Sequence, residues 1–207
     1  MAKTLQLADT ARNQISNIPE LSVLQPGETT PGFVALDRTR LTVTVSELGL
    51  TGFAADEILA EHGVIAELPS LQHLTFIISL GNTEADIERL VQGFTTLAKN
   101  YRPNSLTLKN PEWDNFFSKL GNYTQISPRE AFFAVRETLP IEQTRDRIST
   151  ELVCPYPPGI PVLLPGEVIT SEAIDYLQKV QAGGGFISGC ADANLRTLEV
   201  VKGNLGW

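Results

Sequence analysis

The strongest constraint on the fold of this chain is the segment CPYPPGIPVLLPGE at residues 154–167, which holds five prolines in 14 positions. Proline fixes its own φ at about −65°, lacks a backbone N–H and pushes the preceding residue away from the helical region. The segment therefore cannot form a helix. We expect extended backbone and turns throughout it.

The first half of the chain predicts alternating helices and strands. Apolar residues at helical spacing in residues 5–18, followed by Pro19, predict a short helix. LTVTVSE at residues 41–47 alternates apolar and hydroxyl side chains, as a strand does. HLTFIISL at residues 73–80 is apolar almost throughout, which predicts a strand buried on both faces.

Two further helices complete this half. Thr51 is placed to start one and Gly63 to end it. Asn82 or Thr83 is placed to cap the other, whose apolar positions recur every three or four residues: Ile87, Leu90, Val91, Phe94 and Leu97. The order β-α-β-α predicts a compact α/β layer.

The second half opens with a helix-start signature. Ser127, Pro128 and Glu130 fit a capping box with proline in the first turn. We predict two helices after it, at residues 128–138 and 140–150. The sequence further predicts a helix from Thr170 or Ser171 to about residue 182, a break at the glycines of residues 183–185, and short strands at residues 185–189 and 195–202.

These elements predict two lobes of mixed α/β (α+β) content. The first lobe occupies residues 1–105 and the second residues 127–207. Residues 106–126 carry few periodic signals and are interpreted as a connector.

Charge narrows the range of partners. The formal net charge is −8, with a pI of about 4.8, and the basic residues are scattered. Phosphate backbones and anionic membranes both require clustered Lys and Arg, so we expect neither nucleic acid nor a membrane as a partner. No apolar run approaches the roughly 20 residues that span a bilayer, and the start of the chain lacks an apolar signal-peptide core. A cytoplasmic location is the resulting expectation.

The cysteines and histidines predict no redox or metal chemistry. Cys154 and Cys190 are too few for a disulfide framework, and a reducing compartment suits them. His62 and His73 fall in different predicted elements, so no cluster has the spacing of metal ligands.

The proline-rich segment also carries a family resemblance. PYPPGIPVLLPGE, with SPREAFF before it and VITSEAIDYL after it, resembles the C-terminal domain of the ornithine/lysine/arginine decarboxylases. The stretch from LTVTVSELGL to FIISLGNT is similar to the small domain that follows the cofactor domain in this family. The resemblance covers roughly residues 5–205. It implies a small lobe like that of fold-type I pyridoxal-phosphate enzymes, followed by the family's C-terminal domain.

The resemblance implies pyridoxal phosphate in the intact enzyme but none bound by this chain alone. The family holds the cofactor through the lysine of a Ser-x-His-Lys segment in its large domain. None of the six lysines here follows a histidine: Lys3, Lys99, Lys109, Lys119, Lys179 and Lys202. We therefore expect no catalytic residue in this chain. The partner that the resemblance implies is a large-domain chain or a full-length decarboxylase, within a homo-oligomer.

The resemblance points to three site residues. Glu67 matches a position where some members place a carboxylate that meets the distal cation of the substrate; the alternative is a solvated loop glutamate. Tyr156 and Glu167 flank the proline-rich loop and are assigned either to the active-site entrance or subunit contact, or to loop structure alone. The chain departs from the family at Asp146-Arg147-Ile148, where Gly-Arg-Ile is common.

Other residues favour structural roles. Cys154 has no adjacent Lys or His to lower its pKa, which predicts a buried, inert thiol. GGGFISG at residues 183–189 lacks the lysine of a phosphate-binding loop, so a helix stop followed by a strand is favoured. Ser127 is explained by its capping position.

Three hypotheses remain open. The chain is one piece of a decarboxylase of a basic amino acid, inactive alone; or it is a non-catalytic module for interaction or oligomerisation; or it is a truncated relic. Mutually consistent caps, turns and periodicity argue against the relic.

Overall fold

A computed structural model describes residues 1–25, 35–101, 123–156 and 159–203. The chain divides into two compact units, Met1–Lys109 and Asn110–Trp207. Both units mix helices with antiparallel strands, which confirms the predicted mixed class. Of the predicted connector at residues 106–126, residues 106–122 lie outside the described residues.

Over its described residues, unit 1 consists of a four-stranded antiparallel sheet and three α-helices. Its order along the chain is α1 (Ala2–Ser16), β1 (Ser22–Val23), β2 (Arg40–Thr44), α2 (Gly52–Glu61), β3 (Leu68–Pro69), β4 (His73–Ile77) and α3 (Glu84–Asn100). The strands are arranged in the order β1-β2-β4-β3. Thr51 and Thr83 cap α2 and α3, which confirms Thr51 and settles the choice between Asn82 and Thr83.

The core of unit 1 lies on one face of its sheet. Leu41 and Leu74 on neighbouring strands are fully buried, as are Leu59 on α2 and Phe94 on α3. Phe94 meets Phe76 edge to face, with ring centroids 5.6 Å apart. This geometry is favourable beyond the burial of the two rings.

The expectation that residues 73–80 form a strand buried on both faces was wrong. The strand ends at Ile77, and Leu74 and Phe76 are buried while His73 and Thr75 are only partly so. An antiparallel sheet with helices on one side leaves its other face to solvent. The apolar run therefore overstated how much of the strand is covered.

One buried arginine ties α1 to the strands. The Arg12 guanidinium, only 4% exposed, donates to the carbonyl oxygens of Leu24, Arg38 (3.3 Å) and Arg40 (3.0 Å). Burial lowers the pKa of this guanidinium. Three carbonyl partners compensate much of the cost of removing the charge from water.

Unit 2 is built from short elements. These are α4 (Pro128–Phe133), β5 (Arg136–Pro140), β6 (Cys154–Tyr156), α5 (Ser171–Ala182), β7 (Phe186–Ser188) and β8 (Thr197–Val201). β5 pairs with β8, and β6 with β7. Isolated bridges add to the β5–β8 pair. Ser149 bridges Val200 on β8, Ile148 bridges Val168, and Thr124 bridges Glu167.

The prediction of two helices at residues 128–138 and 140–150 was wrong. The capping box of Ser127 and Glu130 is confirmed, but α4 ends at Phe133 and Ala134 is already extended. Arg136–Pro140 is a strand because it pairs with β8, more than 50 residues further along the chain. Only a short 3₁₀ turn at Ile141–Gln143 follows. The predicted α5, its break at Gly183 and the last two strands are confirmed.

A tight turn closes the proline-rich segment. The Glu167 amide donates to the Leu164 carbonyl (3.1 Å), with Pro165 and Gly166 between them. Gly166 has φ +93°, as the third position of a type II turn requires. A Cβ on Gly166 would lie 2.2 Å from the Ile126 carbonyl oxygen. Only glycine fits here, for both reasons.

The backbone conformation at Asp146 accounts for the departure from Gly-Arg-Ile, the sequence that is common in the family this chain resembles. Its φ is +61°, in the left-handed region that glycine adopts freely and aspartate tolerates better than most residues. Arg147 beside it donates to Glu137 (2.6 Å) and to the Val201 carbonyl (2.8 Å). A glycine at position 146 would meet the same backbone requirement.

Gly166→Ala should destabilise the chain by about 2–4 kcal/mol, because it adds a backbone clash to the left-handed strain. Gly203→Ala is the matched control, since Gly203 has φ +84° and a Cβ there would meet nothing within 4 Å. Urea unfolding of both variants measures the difference. Equal losses would show that the contact with Ile126 costs nothing.

Asp146→Gly should stabilise the chain by about 0.5–1 kcal/mol, because glycine adopts positive φ without strain. Asp146→Val should cost about 2 kcal/mol at the same position, because its branched Cβ resists that conformation. Thermal unfolding of the two variants and the parent checks the order. A more stable valine variant would contradict the assigned backbone conformation.

Candidate functional site

Glu67 lines an open groove on unit 1. The groove has a volume of about 300 Å³ and runs between the chain around β3 and β4 and the start of α3. Its lining includes Ile65, Glu67, Ile77, Asp86 and Arg89. Glu67 is exposed, so the structure places it where a solvated glutamate and a ligand-binding glutamate would both lie.

The backbone around Glu67 is held at two points. Its amide donates to the Thr75 carbonyl on β4 (2.9 Å). The amide of the preceding residue, Ala66, donates to the Asp56 carboxylate on α2 (3.0 Å). The Glu67 side chain thus projects from a fixed backbone. Sequence reasoning missed Asp56, because a side chain reaching an amide ten residues away leaves no local pattern.

The two carboxylates of the groove differ in availability. Asp86 accepts hydrogen bonds from the Thr83 amide (2.8 Å) and hydroxyl (3.0 Å), which lower the pKa of its carboxyl group. It is thereby committed to capping α3. Within the described residues the Glu67 carboxylate has no hydrogen bond or ion pair, so it is the carboxylate free to meet a cation.

Tyr156 belongs to an exposed apolar surface on unit 2. It lies opposite Phe186 in the β6–β7 pair, and the two side chains are 58% and 59% exposed. Ile160, 57% exposed, lies in the same loop as Tyr156. We call Tyr156, Ile160 and Phe186 the Tyr156 patch. Pro157 and Pro158 between them lie outside the described residues.

Glu167 has a structural contact of its own. Its carboxylate accepts from the Leu164 amide (2.9 Å), across the turn that its own amide closes. The side chain is half-buried. The structure therefore gives Glu167 a role in shaping the proline-rich loop.

Neither thiol is activated. Burial raises the pKa of Cys154, as its predicted buried position implies. Burial and the nearby Glu151 carboxylate raise the pKa of Cys190. Both shifts favour the protonated thiol, which is a poorer nucleophile and metal ligand than the thiolate.

Two further findings concern the residues that the structure describes. Across them, no group of three or more His, Cys, Asp and Glu side chains is arranged to hold a metal ion. None of the helices in the described ranges has the length and apolar character needed to cross a membrane.

Known proteins match this chain along nearly its whole length. It is 36% identical over 203 residues to the arginine decarboxylase of Halalkalibacterium halodurans, covering 96% of this chain and 40% of that protein. It is 32% identical over 204 residues to the arginine decarboxylase of Bacillus subtilis, covering 97% of this chain and 41% of that protein. The chain thus spans about 40% of the length of these relatives.

A solved structure shares the fold. The constitutive lysine decarboxylase of Escherichia coli superposes with a TM-score of 0.70 at 20% identity, covering 97% of this chain and 40% of that chain. Residues 113–191 match the C-terminal domain of the Orn/Lys/Arg decarboxylases. This match, with the similarity along the rest of the chain, shows that the chain belongs to the Orn/Lys/Arg decarboxylase family and carries its C-terminal domain.

Proposed function

We propose that this chain is the C-terminal portion of a pyridoxal-phosphate-dependent decarboxylase of ornithine, lysine or arginine, and that it is not catalytic on its own. The observation that carries the proposal is the extent of the match. Almost all of this chain aligns with arginine decarboxylases, yet it spans only about 40% of their length. The remaining length is where the cofactor would be held.

The described residues do not fit a pyridoxal-phosphate site. The cofactor is held as a Schiff base by a lysine that is desolvated in its pocket. Lys3, Lys99, Lys179 and Lys202 are all exposed, and Lys109 and Lys119 lie outside the described residues. No step of the reaction is therefore assigned to a group on this chain.

The contribution proposed for this chain is recognition of the substrate. Ornithine, lysine and arginine all end in a cation, and a carboxylate facing a cation forms a strong, charge-assisted hydrogen bond. Glu67 supplies an uncommitted carboxylate on a fixed backbone beside a groove. The three substrates share this feature, so Glu67 would not distinguish between them.

A non-catalytic interaction module is the second candidate, because the Tyr156 patch exposes three large apolar side chains. Such patches on otherwise polar surfaces mark contact sites. Under either candidate Tyr156 serves a contact or the active-site entrance, while Glu167 shapes the loop that presents it. Homo-oligomerisation and a cytoplasmic location remain predictions.

The isolated chain should show no decarboxylase activity and no visible absorbance of a pyridoxal-phosphate Schiff base. Co-expression with the part of the H. halodurans arginine decarboxylase that this chain does not match should restore both, because that part would supply the cofactor site. Release of CO₂ and the absorbance spectrum are the measurements. An isolated chain that is active and coloured would overturn the proposal.

In that reconstituted enzyme, Glu67→Gln should raise the KM for the amino acid by roughly 10- to 100-fold, because it replaces a charge-assisted hydrogen bond with a neutral one. Glu61→Gln is the matched control, since Glu61 is exposed at the end of α2 and does not line the groove. Steady-state kinetics on both variants give the comparison. An unchanged KM in Glu67→Gln would identify Glu67 as a solvated surface glutamate.

A further inference from the structure

Helix α4 exposes an unusual amount of apolar surface. Of its six residues only Ala131 is buried. Phe132, Phe133 and Val135 are 56%, 70% and 73% exposed. We call these three side chains the aromatic ridge. Large aromatic side chains contribute most of their energy through burial, so this helix adds little to the core of unit 2.

The aromatic ridge is held rigidly although it is exposed. The Ser127–Glu130 capping box fixes the start of α4, with hydrogen bonds of 2.8 and 3.2 Å. The rings of Phe132 and Phe133 meet edge to face at 5.1 Å. The Lys202 amide donates to the Val135 carbonyl (2.7 Å) and fixes the end of the ridge. A preorganised surface loses less entropy when it binds.

Two arginines border the aromatic ridge. The Arg129 guanidinium lies 5.1 Å from the ring centroid of Phe133, and that of Arg136 lies 5.7 Å from Phe132. Arg136 is neutralised by an ion pair with Glu199 (2.9 Å). Arg129 has no carboxylate partner in the described part of the chain, and the nearest acidic neighbour in sequence, Glu130, is committed to the capping box. Among the described residues, the ridge therefore carries a positive charge that no carboxylate neutralises.

The positive charge of Arg129 bears on which of two partners could cover the ridge, a second copy of this chain or a different polypeptide. A two-fold contact with a second copy presents the same patch on both sides, which would bring two Arg129 side chains towards each other. Like charges at a desolvating contact are unfavourable. A different polypeptide, with an apolar pocket edged by carboxylates, complements the ridge in both shape and charge.

We propose that the aromatic ridge is the surface through which this chain docks onto the part of a decarboxylase that lies outside its own region of similarity. The proposal rests on the proposed function, under which that part is a necessary partner. The chain spans only about 40% of its relatives' length, so the part of those relatives that it does not match is large enough to supply such a pocket. Phe132 and Phe133 would be the anchors, and Arg129 would pair with a carboxylate at the edge.

The test co-expresses this chain with the unmatched part of the H. halodurans arginine decarboxylase and measures the complex by affinity co-purification and light scattering. The double variant Phe132→Ser/Phe133→Ser should weaken the complex by roughly tenfold or more, as loss of interface anchors does. Arg129→Glu should weaken it as well. Leu80→Ser is the control, because Leu80 is 76% exposed and is not part of the aromatic ridge. Thermal unfolding of each isolated variant checks that it folds.

The outcomes separate this proposal from the proposed function. A complex that forms and is active, yet is unaffected by the ridge variants, overturns the ridge and leaves the proposed function standing. A complex that depends on the ridge but releases no CO₂ supports the ridge and overturns the proposed function. Absence of any complex overturns both. If the chain alone is a dimer that the double variant dissolves, the occupant is a second copy and the proposal is wrong.

Discussion

The irregular fold of unit 2 depends on one buried carboxylate. Glu151 is 7% exposed, and its two oxygens accept from the amides of Ala191 (2.6 Å) and Glu199 (2.8 Å). A buried carboxylate is stable only when it is hydrogen-bonded, so these contacts are required rather than incidental. These two hydrogen bonds join Glu151, which follows the bridging residues 148–149, both to β8 and to the loop before β8. The short strands of unit 2 are thereby held in register without a continuous sheet.

Each unit holds separate backbone segments together through one buried charged side chain, and the two charges have opposite signs. In unit 1 a buried cation, Arg12, gathers carbonyl oxygens from the ends of the chain between β1 and β2. In unit 2 a buried anion, Glu151, gathers amides. In each case one buried charged side chain supplies hydrogen-bond partners to backbone groups from separate segments of the chain.

Local signals explain what could be predicted. The caps at Thr51, Thr83 and Ser127 need only residues within one turn of the chain, and all three are where the sequence indicates. Strand β5 could not be predicted because its state is decided by β8, which is distant in sequence. The same holds for the site. Glu67 was reached through resemblance, whereas Asp56 and the exposure of Phe132 and Phe133 emerge only from tertiary structure.

The left-handed turn at Asp146 has a consequence for how this family varies. Arg147 reaches Glu137 and the Val201 carbonyl from a backbone that glycine and aspartate can both adopt. Position 146 can therefore hold any residue that accepts positive φ without moving Arg147. A residue that rarely adopts positive φ at this position would shift the backbone that carries Arg147, and with it the two contacts that Arg147 makes.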